Sequence, residues 1–298
     1  MNSFFSFKKY NKSLRYVGAL MGVLAISWLI PVTATDTFPD VPPYPLPISI
    51  LEIIDTDTTS STSSDDVSDY QGETESLYTL PPSEYLTPPA PDEPMQKLIA
   101  LTFDDGPSEF TEGILDQLDA YGGRGTFFVI GRRLNRYAHL LQRMADTGHE
   151  IGNHTWAHER LPQHSPEHVH RTIQRTSERV YEITGIWPAT FRPPYMAFGT
   201  RTQGLIEELG YPIVLWSVDP RDWDNRDADM IYEHIMAHTG HGDIVLLHDI
   251  YDTTYEATLR AISSLAAQGF HFVTVSELLG GELSAGGVYH RLPSANTH

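Results

Sequence analysis

The sequence predicts an α/β domain built on a parallel sheet. Three observations point there. From Met95 onward, over about 200 residues, short apolar runs alternate with amphipathic runs of helical period. The amphipathic runs carry helix punctuation, such as Ser165-Pro166 at a start and Gly148 and Gly185 at ends. Polar residues able to do chemistry fall directly after the apolar runs, where a parallel sheet presents them together. A closed barrel and an open doubly wound sheet both satisfy this pattern.

The elements follow in order. Leu98–Phe103 (LIALTF) reads as a buried strand, and Ser108 as the N-cap of a helix running to about Ala120. Gly125–Ile130 (GTFFVI) is the second strand, followed by a helix over Tyr137–Thr147 that Gly148 closes. His149–Gly152 begins a third strand. Ser165-Pro166 starts a long helix to Thr184, ended by Gly185. Thr190–Phe191, Ile213–Ser217 and Ile244–Leu247 are further strands. Helices over Thr200–Leu209, Ala228–His238 and Thr254–Gln268 lie between and after them, and Phe272–Val275 is read as the last strand.

The rest of the chain differs in kind. Lys8, Lys9, Lys12 and Arg15 precede an uncharged run, Val17–Ile30, and small residues close at Ala34. Residues 1–34 therefore read as a secretory signal peptide, or as an uncleaved membrane anchor. Residues 35–94 read as a disordered acidic linker rich in Pro, Ser and Thr. The stretch 36–94 holds 13 acids and neither Lys nor Arg. The catalytic domain is expected over 95–282, with 283–298 as a C-terminal tail. A net charge of −19 argues against nucleic acid as a partner, and the absence of cysteine excludes disulfides and thiolate metal sites.

Asp104 and Asp105 follow the first strand; adjacent carboxylates repel and invite a cation. His154 and His158 follow the third strand, four apart, a spacing that puts both rings on one face of a helical turn. With Asp105 they make the two-imidazole, one-carboxylate set of an open metal site. That set suits Zn²⁺ and also accepts Co²⁺, Mn²⁺ or Ni²⁺. Asp104 is then free to act as a general base, held ionised and aimed by Arg192. His248, at the end of the sixth strand, is placed as a general acid if a carboxylate keeps it protonated, and Asp222 is preferred to Asp219. Trp223 and Leu246 can wall an acyl pocket. His234 and His238 share the four-residue spacing but lie within a helix, with His241 beyond it, and read as structural. His164, His168 and His170 read as solvated.

In order, TFDDGP (102–107), HTWAH (154–158), RPPY (192–195), DPRDW (219–223) and LLH (246–248) resemble the motifs of the polysaccharide deacetylases, the NodB-homology group of carbohydrate esterase family four. The likeness covers about residues 97–280. It implies a distorted (β/α) barrel with its groove over the carboxyl ends of the strands, and metal-dependent removal of acetyl groups from N-acetylated sugars. Asp104 resembles the family's base, and Asp105, His154 and His158 its metal ligands. Arg192 resembles the residue that orients the base, and the Tyr195 backbone the oxyanion donor. Asp222 and His248 resemble the paired acid, and Trp223 and Leu246 the pocket walls. The substrate expected is N-acetylglucosamine in cell-envelope peptidoglycan, outside the cytoplasmic membrane. Chitin oligomers, acetylated xylan and a non-catalytic wall-binding module are the alternatives. A metallopeptidase would want His-Glu-x-x-His, and no glutamate stands between His154 and His158.

Overall fold

In the computed structural model, residues 96–281 and 283–293 are described, and all fall in the unit Thr79–His298. The signal-like segment 1–34 and the acidic linker 35–94 lie outside the described residues. In chain order the elements are β1 (Lys97–Asp104), α1 (Thr111–Ala120), β2 (Thr126–Val129), α2 (Ala138–Asp146), β3 (Glu150–Asn153), α3 (Pro166–Thr184), β4 (Thr190–Phe191), α4 (Thr200–Glu208), β5 (Ile213–Val214), α5 (Ala228–His238), β6 (Ile244–His248), α6 (Asp252–Ala267), β7 (Phe270–Phe272), α7 (Val275–Leu278) and β8 (Val288–Tyr289). Among the described residues no helix is long and apolar enough to cross a membrane.

The strands pair in parallel in the order β6-β1-β2-β3-β4-β5-β8, and β7 lies beside the first half of β1. After β5 the chain swings back to β6. Ser217 N–H donates to Ile244 O at 3.0 Å, and Leu246 N–H donates to Val218 O at 2.9 Å. This return joins the two ends of the curl into a distorted (β/α) barrel.

Side-chain alternation along β1 divides the core in two. Ile99, Leu101 and Phe103 enter a layer between sheet and helices, against Ile114, Leu115 and Leu118 of α1 and Ile262 and Leu265 of α6. Ala100 faces the barrel interior with Phe128, Val214 and Ile244. Each such large side chain stabilises the fold by about 1.5–3 kcal/mol on burial. Thr102 and Asp104 continue the interior-facing row toward the carboxyl end. The same strand thus supplies core at its base and chemistry at its tip.

Local signals explain the longest helix. The Ser165 side chain accepts from His168 N–H, Pro166 opens the first turn, and Gly185 (φ 72°) closes the last by donating to Tyr181 O. Val169, Ile173, Thr176 and Val180 form its buried stripe.

Four expectations change. Ser108 is not the cap of α1, which begins at Thr111; the Ser108 hydroxyl instead accepts from Phe110 N–H in the preceding turn. The strand expected over Ile213–Ser217 is only two residues long, because the chain leaves β4 to reach β6. The strand expected at Phe272–Val275 ends at Phe272, because Thr274 and Glu277 form a capping box that starts α7. Finally, the stretch read as a tail from residue 283 supplies β8, which pairs with β5 at Ile213↔Val288 and Val214↔Tyr289.

Candidate active site

Two adjacent residues on an extended strand point to opposite faces. Asp104 ends β1 facing the barrel interior, and Asp105 breaks the alternation with φ 72°, a left-handed conformation that aspartate tolerates better than most residues. Gly106 follows where a Cβ would overlap the Asp249 carboxylate, so the turn has to be made by glycine here.

The two histidines reach Asp105 from a turn and not from a helix. His154 lies just beyond β3, and Thr155 (φ 68°) and His158 (φ 63°) are both left-handed. Asn153 Oδ1 accepts from Thr155 N–H at 2.8 Å, and Thr155 Oγ1 accepts from His158 N–H at 3.0 Å. His154 Nδ1 donates to Arg192 O at 2.6 Å, which turns Nε2 toward the carboxylates. Burial pushes His154 down to about 3 against the pull of Asp105, so its ring is neutral and available as a ligand.

Asp105 Oδ1 lies 3.3 Å from His158 Nε2 and 3.6 Å from His154 Nε2. It is buried and has no hydrogen-bond partner. A buried acceptor left unpaired beside two imidazole nitrogens calls for a cation. Ligand atoms separated by about 3.3 Å suit a tetrahedral ion with bonds near 2.1 Å. The three residues therefore fit a divalent metal.

Arg192 is fully buried. Its Nε donates to Val214 O at 3.0 Å and Nη2 to Leu215 O at 2.9 Å. Nη1 donates to Thr102 Oγ1 at 2.8 Å and to Asp104 Oδ1 at 2.7 Å, and the Phe128 ring lies 4.0 Å below. Burying a guanidinium demands such complete pairing. One oxygen of Asp104 is thereby fixed. The other, Oδ2, faces the histidines, 3.7 Å from His154 Nε2.

On the far side, Asp222 is fully buried and clamps His248 twice. Its Oδ1 lies 2.8 Å from His248 Nδ1, and its Oδ2 accepts from His248 N–H at 2.7 Å and from the Thr254 hydroxyl at 2.8 Å. Burial works against a charge on this ring. The hydrogen bond and charge of Asp222, with Asp104 and Asp105, outweigh it and raise His248 to about 9. His248 is therefore an imidazolium at neutral pH, with Nδ1–H donated to Asp222.

The remaining expected residues sit around this group. Tyr195 (φ 61°) is exposed, its ring 4.4 Å from that of His158. Leu246 is buried two residues before His248, on the same face of β6. Trp223 follows Asp222 and is 45% exposed, with the Arg221 guanidinium 5.2 Å from its ring. The other histidines belong elsewhere. His234 and His238 stack on α5, and His241 Nδ1 accepts from Leu98 N–H. His164, His168 and His170 stay partly exposed near the start of α3: His164 stacks on His168, which lies near Glu159, and His170 lies 3.3 Å from Glu208.

Sequence reasoning missed the support. Thr102 and Thr155 lie inside quoted motifs but had no role assigned, and Phe128, Asn153 and Thr254 lie outside them; all five orient the site's groups. Asp249 had a signal, since His248-Asp249 is a second polar doublet at a strand end. It is buried, accepts from the Thr111 hydroxyl, and its backbone oxygen accepts from the Ser108 hydroxyl. Burial, with the nearby charge of Asp105, pushes it up to about 7.

Comparison with known proteins places the chain among similar sequences and structures. The family model described as polysaccharide deacetylase matches residues 92–214. The peptidoglycan-N-acetylglucosamine deacetylase PgdA of Listeria monocytogenes is 40% identical over 209 residues, covering 70% of this chain and 44% of that protein. The chain thus spans less than half the length of that relative. A peptidoglycan-N-acetylglucosamine deacetylase of Bacillus cereus is 39% identical over 206 residues, covering 67% of this chain and 95% of its own. The structure of the peptidoglycan deacetylase PdaC from Bacillus subtilis superposes with TM-score 0.60 at 40% identity, covering 62% of this chain and 91% of that one. A family 4 acetyl xylan esterase from Clostridium thermocellum in complex with a cobalt ion superposes with TM-score 0.62 at 32% identity, covering 66% and 100%.

Proposed function

The chain belongs to the polysaccharide deacetylase family, and on that premise we propose that it hydrolyses the N-acetyl group of N-acetylglucosamine residues in peptidoglycan. One observation carries this reading. Asp104 is fixed by a fully buried arginine and turns its free oxygen toward the adjacent Asp105–His154–His158 cluster.

Asp105, His154 and His158 would hold one divalent ion, Zn²⁺ being the best match to the ligands, with Co²⁺, Mn²⁺ or Ni²⁺ also accommodated. Such an ion, when bound, lowers the pKa of water and polarises a carbonyl. Asp104 Oδ2 takes the proton of the attacking water, and Arg192 keeps that oxygen aimed. The Tyr195 N–H donates to the oxyanion as the carbonyl becomes tetrahedral. Leu246 and Trp223 wall the acetyl methyl. When the C–N bond breaks, acetate leaves, and the sugar nitrogen receives its proton from His248 Nε2–H. The basic flank and apolar run within residues 1–34 support export, with anchoring to the membrane as its variant, and the acidic segment 35–94 is a spacer toward the wall.

The test is acetate release by the full chain from N-acetylglucosamine oligomers, peptidoglycan and acetylated xylan, after chelation and after Zn²⁺ return. Release from the N-acetyl substrates that depends on Zn²⁺ and disappears in Asp104→Asn is expected. Release from xylan alone overturns the substrate. No release from any of them, with metal bound, means a non-catalytic wall-binding module.

A further inference from the structure

Two exposed arginines flank the catalytic groups, each laid over an aromatic ring that itself touches a site histidine. On one side Arg160 lies 4.4 Å over the Tyr195 ring, which packs 4.4 Å from His158. On the other Arg226 lies 3.1 Å over the Tyr251 ring, which sits 6.2 Å from His248. The first pair belongs to the loops after β3 and β4, the second to those after β5 and β6.

Neither guanidinium has a carboxylate within 4.0 Å among the described residues. Four other arginines are answered by acids: Arg143 by Asp116 and Asp119, Arg179 by Glu182, Arg221 by Asp224 and Arg260 by Asp229. Arg136 on Tyr137 and Arg175 on Trp156 share the pattern of a ring without a carboxylate, but neither ring is paired with a histidine of the site. The acids nearest in sequence are engaged elsewhere. Glu159 accepts from Ala157 N–H and the Thr172 hydroxyl, and Asp227 caps α5 by accepting from Asp229 and Met230 N–H. Each guanidinium is thus held on a ring with its hydrogen-bonding edges free, the arrangement in which arginine grips a carboxylate through paired N–H donors.

A chain of net charge −19 has no long-range attraction for an anionic polymer, so recognition of acidic groups has to be local. We propose that Arg160 and Arg226 are specificity residues that bind carboxylates carried by the sugars on either side of the one being deacetylated. This rests on the reading of the site as a peptidoglycan deacetylase. In a strand that alternates N-acetylglucosamine with N-acetylmuramic acid, both neighbours of the reacting sugar carry a carboxylate, either the lactyl group itself or one on its attached peptide. A homopolymer of N-acetylglucosamine carries none, and there both arginines would be idle.

The test compares kcat/KM on four substrates: peptide-free glycan strands, the same strands with lactyl carboxyls reduced to alcohols, strands keeping their peptides, and N-acetylglucosamine oligomers. Wild type is expected to prefer carboxylate-bearing over reduced strands. Arg160→Gln and Arg226→Gln should each lower that preference about tenfold, the size of one charge-assisted hydrogen bond, and Arg160→Lys should restore part of it. Added salt should erode the preference in wild type and leave the double variant unmoved. If peptide-free strands show the effect, the lactyl carboxylate is the group bound; if only peptide-bearing strands do, it is a peptide carboxylate. An equal fall on charged and reduced strands would make the arginines mere props for Tyr195 and Tyr251 and overturn the proposal. Wild type that deacetylates all four substrates alike also overturns it, while leaving the deacetylase reading intact. Wild type inactive on all four defeats both.

Discussion

Replacing Asp222 by asparagine removes a charge and keeps a shape. One amide oxygen still accepts from His248 N–H and the Thr254 hydroxyl, so the loop is held as before. The pull on the ring proton changes. In the wild type His248 is raised from 6.5 to about 9, with burial opposing and Asp222 leading the groups that win. That rise corresponds to about 3 kcal/mol of preference for the imidazolium. At pH 7 the wild-type ring is about 99% protonated; at a value of 6.5 or lower it is less than about a quarter protonated. Loss of the acid form alone should therefore cut kcat/KM at pH 7 by at least about fourfold, and the alkaline limb of the pH profile should move at least about two pH units toward acid. The fold is linked to the same proton. Because the folded value is raised, the clamp stabilises fully below about pH 6.5, and its contribution disappears as pH rises through about 9. The denaturant midpoints of wild type and Asp222→Asn should thus differ more at pH 6 than at pH 9.5. The pH–rate profile and an NMR titration of the metal-free ring read both effects. A variant whose alkaline limb stays at the wild-type position, or a wild-type ring that titrates near 6.5, refutes the reasoning.

Asp105→Ala and His158→Ala should lose bound metal as measured by elemental analysis of purified protein, whereas Asp104→Asn should retain it and lose turnover; equal metal content in all three would remove Asp105 and His158 from the ligand set. Arg192→Met should unfold at markedly lower denaturant, with a loss of about 3–5 kcal/mol, because Asp104 is left buried without its partner; a midpoint matching wild type would mean that the pair organises nothing. Gly185→Ala is a backbone control. Its φ is 72° and nothing lies within 4 Å of the added methyl, so a cost of about 1–2 kcal/mol with unchanged kcat/KM is expected from chemical denaturation and acetate release.

Much of the barrel can be read without coordinates because its signals are local. Ser165-Pro166 and Gly185 bound α3 by capping chemistry that needs only the neighbouring backbone, and the apolar run of β1 states its own burial. Where the reading slipped, a distant partner decided. Ile213–Ser217 has the composition of one strand, yet Trp216–Val218 leave β4 because β6 offers a free edge that closes the barrel. Val288–Tyr289 look like tail until β5 supplies a pairing partner. Nothing in the residues around Arg192 signals its burial, which depends on Thr102 and on Val214–Leu215 arriving from two other segments.

The histidines show why spacing alone does not identify a site. His154–His158 and His234–His238 share the same interval, and the pair lying on a true helix is the one with no carboxylate within 4.0 Å among the described residues. His234 and His238 stack at 4.1 Å on α5, and His238 Nδ1 bonds only the carbonyl of His234. His154 and His158 meet Asp105 from an irregular turn whose left-handed residues are held by Asn153 and Thr155. What separates the pairs is their place after a strand. A parallel sheet points every strand tip to one rim, so residues far apart in sequence arrive within a few ångströms of each other, as Asp105 and His154 do at 3.6 Å. Position relative to the end of an apolar run is therefore the stronger sequence signal. It also selects Asp249, the buried carboxylate after β6, as a residue whose exchange for asparagine should disturb the Asp105–Gly106 turn before it disturbs the fold.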